Sequence, residues 1–337
     1  MWQELLRKVR GGGGGGGSGA LTPFVGAYGK LPGIGDFVAV RAQAEPALAF
    51  QGWLARAVEW ADRRQLPGWP TVFDNRPPMV FTFRPRPKNG GVLVGLMKAS
   101  RDTVGRRYPF AIFAAIPEQV ARAAPHLLPI AMAPFIEQAA HVFQVVASAT
   151  STADVEAALA PVRPPPLDDA MAHAYDGWIR GALAADFWRS LYGASGPGPA
   201  YAIQMIHEVL APFQQVEEPR TDIAVRLPLK SHPAYEAAFW LDLIQRVGHT
   251  PRPVPTSLFY PAAVPGRALF VTLGDSHPNA LAEAAVGTGD TDLVCDLTTP
   301  EPERSSMSRL PTLQTRIEGE MRREDATLAD ILRALEA

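Results

Sequence analysis

The 337 residues carry 32 Lys and Arg against 34 Asp and Glu, a formal net charge of −2, so the chain as a whole has no electrostatic claim on nucleic acid or an anionic membrane. A share of 47% apolar against 20% charged residues excludes wholesale disorder and is enough for one large core or two modest ones. The single Cys295 excludes an intramolecular disulfide, fits a reducing cytoplasm and leaves no Cys/His spacing of the zinc-site kind.

At the N-terminus Trp2, Leu5, Leu6 and Val9 recur at helical spacing. Glu4, Arg7 and Lys8 interrupt the run, which therefore does not read as a signal peptide. A helix this short is unstable alone in water and needs something to dock on. Gly11 to Gly19, broken only by Ser18, reads as a tether with a reach of roughly 15 to 18 Å. Two readings of residues 1–23 stay open: a disordered leader with a chance stripe, or a tethered arm that touches a partner or a membrane.

A globular region spans 24–298, with a possible sub-boundary at the proline-rich connector 161–166. Within it Phe50, Trp53, Leu54, Ala57, Trp60 and Ala61 predict an amphipathic helix with both tryptophans on one side. Met79 to Arg84, Gly91 to Ser100 and Tyr108 to Ile116 read as strands joined by short turns, hence an antiparallel meander. Glu118 to Val146 is helical but should be cut by Pro125, Pro129 and Pro134, because proline lacks the amide donor of an interior turn. Leu127 to Ile136 is the longest strongly apolar run and about half a membrane span, so no transmembrane segment is expected.

Asp168 to Leu191 predicts one further amphipathic helix with Trp178, Leu183 and Phe187 in the core, ended at Gly193 to Pro199. A helical Tyr201 to Leu210 follows. The pattern then runs strand (Ile223 to Leu229), helix (Pro233 to Val247), strands (Thr256 to Tyr260, Ala268 to Leu273) and helix (Pro278 to Val286). Tyr235, Phe239, Leu243 and Val247 fall on one buried stripe. This mixture predicts an α/β fold, a mixed sheet with helices on both faces in a three-layer αβα sandwich. Residues 299–337 form a charged tail that ends in a helix with Leu328, Ile331, Leu332 and Leu335 at helical spacing. Thr327-Leu328-Ala329-Asp330 fits a capping box. That helix either docks on a partner or packs on its own domain.

No catalytic kit stands out. Gly26 to Leu31 has the glycines of a phosphate loop too close together and lacks its Ser/Thr, and Gly33-Ile34-Gly35 lacks the third glycine of a dinucleotide fingerprint. The plain reading is a tight turn in which glycine supplies positive φ and Pro32 fixes the approach. Asp36, between that turn and Phe37-Val38, reads as a helix cap or an arginine partner. From Arg84 to Arg107 seven basic residues, Arg84, Arg86, Lys88, Lys98, Arg101, Arg106 and Arg107, face the single acid Asp102. That density fits a solvated face with internal ion pairs or a surface for an acidic or phosphorylated protein. The absence of interleaved aromatics and of a recognition motif disfavours nucleic acid. His207-Glu208 lacks the second histidine of a zinc protease, and Ser195 does not sit in a nucleophile elbow.

Two segments, Gly29-Lys30-Leu31-Pro32-Gly33-Ile34-Gly35-Asp36-Phe37-Val38 and Ser100-Arg101-Asp102-Thr103-Val104-Gly105-Arg106-Arg107-Tyr108-Pro109-Phe110, with the glycine-led strand Gly91 to Gly95 between them, together resemble the signature of the TagF (ImpM) family, accessory proteins of bacterial type VI secretion. Leu227-Pro228-Leu229, Ser257-Leu258-Phe259-Tyr260 and Gly266-Arg267 are similar to the family's carboxyl-terminal half. The resemblance implies a cytoplasmic, non-enzymatic α/β protein that restrains type VI secretion after translation by binding a forkhead-associated scaffold protein. Other secretion-complex components are possible partners. It implies no cofactor and no metal, and Lys30, Asp36, Lys98, Arg101, Asp102, Arg106 and Arg107 become the motif-loop candidates for partner binding. Some relatives carry a metal-dependent phosphatase, whose Asp-Gly-x-Gly element this chain lacks. The rival readings are a structural adaptor in secretion-complex assembly and an enzyme acting on phosphate through Lys30, Asp36, Arg101 and Asp102.

Overall fold

The structure, a computed structural model, describes residues 21–63, 69–85, 91–165, 168–194, 196, 198–211, 223–248, 255–262, 268–286, 294–298 and 311–336. The stripe of residues 2–9, Arg86, Lys88, Ser195 and Gly266-Arg267 lie outside them.

The predicted meander is the centre of the molecule. It consists of β3 (Met79–Phe83), β4 (Gly91–Lys98) and β5 (Phe110–Pro117), paired antiparallel in sequence order. β4 and β5 read as unbroken apolar runs because both faces of the sheet are covered. Val92, Val94, Leu96, Phe110, Ile112, Ala114 and Ile116 enter one core, while Leu93, Met97, Ala111, Phe113 and Ala115 enter the other.

Two strands precede the meander that periodicity does not reveal, β1 (Phe24–Gly29) and β2 (Val38–Val40). β1 contains two glycines and has no strand-like alternation to mark it, yet it lies between β2 and β5. Gly26 is there because a Cβ would come within 2.7 Å of the Val40 carbonyl and 2.9 Å of the Phe113 ring. β7 (Ser257–Pro261), β8 (Ala268–Thr272), β6 (Ala224–Pro228) and β9 (Val294–Asp296) continue the sheet on the other side of β3. Among the described residues the nine strands run β2-β1-β5-β4-β3-β7-β8-β6-β9, and only the β6–β9 pair is parallel. The sheet is mixed, as predicted, and helices cover both faces.

One face is covered by α1 (Glu45–Arg63), α2 (Trp69–Asp74) and a later helix, Asn279–Val286. Phe50 and Trp53 of α1 bury fully against Phe81, Phe83 and Phe259, and the Trp53 indole donates to the Ser276 carbonyl at 2.8 Å. On the other face the three prolines cut the chain where expected: α3 (Glu118–Ala123), a 3-10 turn Pro125–Leu127, α4 (Leu128–Ala131) and α5 (Ala133–Val145) each follow a break. Pro125, Pro129 and Pro134 occupy the first or second position of their pieces, where no amide donor is needed. A second 3-10 turn, Val146–Ser148, leads to α6 (Thr152–Leu159). Among the described residues no single helix is long and apolar enough to cross a membrane.

The chain from Asp168 to Leu191 is two helices instead of one, α7 (Ala170–Gly181) and α8 (Ala184–Tyr192), and Leu183 is 41% exposed instead of in the core. The break has a tertiary cause. The carboxyl-terminal segment runs alongside it, with the Ala184 amide donating to the Ala326 carbonyl at 2.8 Å and the Leu328 amide to the Ala182 carbonyl at 3.0 Å. α9 (Pro199–Leu210) follows.

α10 (Pro233–Val247) is buried around most of its circumference, well beyond the single stripe expected, because its polar residues find internal partners. Glu236 accepts from the amides of Lys230, Ser231 and His232, and Asp242 accepts from the Tyr175 hydroxyl and Arg246. With Asn279–Val286 as α11, the tail adds α12 (Pro311–Met321), which is not legible from periodicity, and α13 (Leu328–Ala334), whose Thr327–Asp330 capping box forms as predicted. Leu328, Ile331 and Leu332 of α13 are buried in the same core as α10.

Candidate functional site

Sheet register brings the two glycine-marked segments together. The first runs from the end of β1 to the start of β2, the second from β4 to β5. Gly29 and Lys98 both pair with Phe110, so both loops leave the same end of the sheet. Gly29 takes φ +138° with its missing Cβ facing the Pro109 carbonyl, a position open only to glycine. The turn after it differs from expectation: Gly33 and Gly35 do not need positive φ. Gly33 is small because a Cβ there would collide with the Ala149 carbonyl.

The second loop is a hairpin built on one carboxylate. Tyr108 donates its amide to the Ser100 carbonyl at 3.0 Å, Asp102 to Arg106 at 3.2 Å, and Gly105, at φ +85°, to Asp102 at 3.0 Å. Asp102 Oδ1 accepts from the amides of Val104 (3.1 Å) and Arg106 (2.9 Å), folding the loop around its own side chain. Its Oδ2 accepts from Lys30 Nζ at 2.7 Å and Arg106 Nε at 2.6 Å. Arg106 Nη2 reaches on to the Gly35 carbonyl at 3.2 Å. Lys30 and Asp102 are 5% and 3% exposed, so this ion pair is a buried clamp between the loops. Lys30 Nζ also lies 4.8 Å above the Phe37 ring, which stacks on Tyr28 at 5.5 Å and meets Tyr108 edge-on at 4.8 Å.

Burial alone would raise the Asp102 carboxyl, but the hydrogen bonds from Lys30 and Arg106 and the Lys30 charge outweigh it and hold the group well below its ordinary 3.8. Its contribution to stability is therefore present above that ordinary value and is lost as pH falls toward the lower folded value. Asp102→Asn is expected to be less stable than the parent at neutral pH and to lose less on acidification. Urea unfolding at about pH 7 and about pH 3.5 checks this, and an unchanged acid slope would mean that Asp102 is not ionised in the fold.

Asp36 does neither thing expected of it. It is exposed and accepts from the adjacent Phe37 amide at 2.7 Å, with no helix to cap. The link between the loops is made by Lys30 and Asp102 because strand register aligns those two inward positions.

The basic cluster is also largely answered by acids from elsewhere in the chain. Arg84 meets Glu118 at 3.6 Å in the interior. Arg101 and Arg107 both meet Asp74, the last residue of α2, each at 2.9 Å. Lys98 stands exposed at the end of β4. The outward-facing part of the site thus comprises Lys98, Arg101, Arg106 and Arg107 together with two exposed apolar side chains, Phe37 at 40% and Val104 at 73%. Asp74, Val104 and the Tyr28–Phe37–Tyr108 ring cluster were missed from sequence. Val104 and Phe37 stood inside the motifs, but nothing local marks Asp74.

The far end of the sheet, at Phe83, carries a groove of about 450 Å³ lined by Leu48, Gly52, Trp53, Arg56 and Ser276. Among the described residues no three His, Cys, Asp or Glu side chains converge in a metal-binding arrangement. Burial and the neighbouring Tyr28 push the Tyr108 phenol far up, so it stays neutral and is no base.

The family model described as the TagF N-terminal domain, type VI secretion system-associated, matches residues 26–162, ending within the predicted connector. Among solved structures the chain is similar to PA0076 of Pseudomonas aeruginosa PAO1, with 27% identity over 42% of this chain and a TM-score of 0.37. The match spans 64% of that relative's length. No curated protein matches the chain.

Proposed function

With residues 26–162 forming the TagF N-terminal domain of a type VI secretion-associated protein, we propose that the chain is a non-enzymatic regulator. It restrains secretion after translation by binding a forkhead-associated scaffold protein through the paired loops. The observation that carries this reading is the Lys30–Asp102 clamp, which spends two buried charges on holding two loops in one surface with Val104 and Phe37 outermost. The same clamp weakens the enzymatic alternative. Lys30 and Asp102 neutralise each other out of solvent, and Asp36 is exposed and accepts from the Phe37 amide.

A mostly exposed apolar side chain in a loop that also carries exposed arginines has the composition of a small interface anchor with a polar rim. Val104→Asp is expected to leave the melting temperature unchanged and to weaken capture of the scaffold by roughly tenfold or more, since it places a charge at the centre of the contact. Binding of purified scaffold across a salt series is the measurement. Undiminished capture by a folded Val104→Asp variant would remove the paired loops from the interface. Metal-dependent turnover of nucleotides or phosphopeptides, abolished by Asp102→Ala, would replace the binding reading with an enzymatic one.

A further inference from the structure

Arg101 and Arg107 face each other across the hairpin as an isolated antiparallel bridge, which fixes the spacing of their side chains. Both guanidinium groups converge on one carboxylate. Arg107 Nε lies 3.1 and 3.2 Å from the two Asp74 oxygens and its Nη2 2.9 Å from Oδ2, while Arg101 Nη2 lies 2.9 Å from the same Oδ2. A forked pair of arginines on one oxyanion is the geometry by which proteins recognise carboxylates and phosphates. Here all three side chains are partly solvent-exposed.

Asp74 is a poorly placed resident. It ends α2, whose buried Trp69 and Phe73 hold the helix down, and a helix C-terminus disfavours a carboxylate. α2 has no basic residue in its last turn to compensate. Arg101, Arg107 and Asp74 are 49%, 39% and 24% exposed, so an incoming oxyanion can reach the guanidinium groups and compete with Asp74 for them. Asp62 of α1 also adds to the field at Arg107.

We propose that Arg101 and Arg107 form a receptor for an acidic segment of the protein partner, and that Asp74 occupies it in the free protein as an intramolecular stand-in. On binding, an oxyanion of the partner, either a side-chain carboxylate or a phosphorylated residue, replaces Asp74 on the two guanidinium groups. This rests on the partner-binding reading of the loops and adds to it the chemistry of the partner and a built-in competitor.

The test uses the full chain and short synthetic peptides, so its outcome does not depend on the identity of the scaffold. The probes are an acidic peptide bearing one phosphothreonine, the same peptide with Glu at that position, and inorganic phosphate, with binding measured by fluorescence anisotropy or calorimetry. Asp74→Asn removes the competitor and is expected to tighten peptide binding by about threefold to tenfold. Asp74→Glu, which keeps a carboxylate, should bind as the parent does. Arg101→Gln and Arg107→Gln, each placed in the Asp74→Asn background, should abolish the gain. A preference for the phosphothreonine peptide assigns the oxyanion to a phosphorylated partner, and equal binding of the Glu peptide assigns it to a carboxylate. If folded Asp74→Asn binds neither peptide more tightly than the parent, the proposal fails. It fails equally if the gain survives loss of both arginines. Failure of the scaffold to bind would instead count against the regulator reading and leave this result standing.

Discussion

Lys30→Met is expected to lower the unfolding free energy at neutral pH by roughly 3 kcal/mol, the lower end of the cost of removing one member of a buried ion pair. The Lys30 side chain is almost wholly out of solvent, and its ammonium is the only charge that reaches Asp102 from the first loop. Methionine fills similar space but leaves the buried Asp102 carboxylate with Arg106 and two backbone amides. Those remaining partners place the cost at the lower end of the range. Arg106→Gln is the informative contrast, because that guanidinium side chain is 64% exposed and a solvent-screened pair contributes only about 1 kcal/mol or less. Pairing Lys30→Met with Asp102→Asn should recover part of the loss, since no charge is then stranded. Chemical denaturation of the four proteins decides it. A Lys30→Met variant within about 0.5 kcal/mol of the parent would show that the second loop holds Asp102 unaided. The loops would then be joined chiefly by ring packing and the Arg106–Gly35 hydrogen bond.

Deleting residues 324–337 is expected to leave the protein unfolded or aggregated. Leu328, Ile331 and Leu332 are fully buried in the main core, where α13 packs on α7 and α12, and burying three such side chains is worth on the order of 5 to 9 kcal/mol. That is comparable to the net stability of a typical domain, about 5 to 15 kcal/mol. The deletion also strips the Ala182 carbonyl and the Ala184 amide of their partners in the tail. Because a deletion that fails to fold reports little by itself, Ile331→Ala serves as the graded version, with an expected loss of about 2 to 4 kcal/mol from the cavity it leaves. A truncated chain that melts with the parent but loses a binding partner would instead make this helix a docking element.

How much of this could be read in advance depended on whether the determinant was local. The proline-cut helices from Glu118 to Val145 were legible because the missing amide of proline acts within its own turn. The Thr327–Asp330 capping box was legible because both partners lie within four residues. β3, β4 and β5 were legible because long apolar runs with short turns leave little but a meander. β1 was hidden by Gly26 and Gly29, residues that weaken a strand pattern and that the sheet uses for close approach to its neighbours.

In the candidate site the residues were visible and their pairings were not. The motifs named Lys30, Asp36, Asp102 and the arginines, but nothing in their order chooses Lys30 over an arginine, or Asp102 over Asp36, as the buried link. Seventy-two positions separate Lys30 from Asp102, and the pairing of Gly29 and Lys98 with the same Phe110 is what aligns them. Asp74 reaches Arg107 from 33 positions away on a helix held down by Trp69 and Phe73. Local composition therefore determined the central meander, the proline-set helix breaks, the last capping box and the presence of a charged loop pair in this chain. Which charge is buried, which is cancelled and which faces outward was decided only when strand register and helix packing set the distances, because electrostatic and hydrogen-bond energies depend on separation in space and not along the chain.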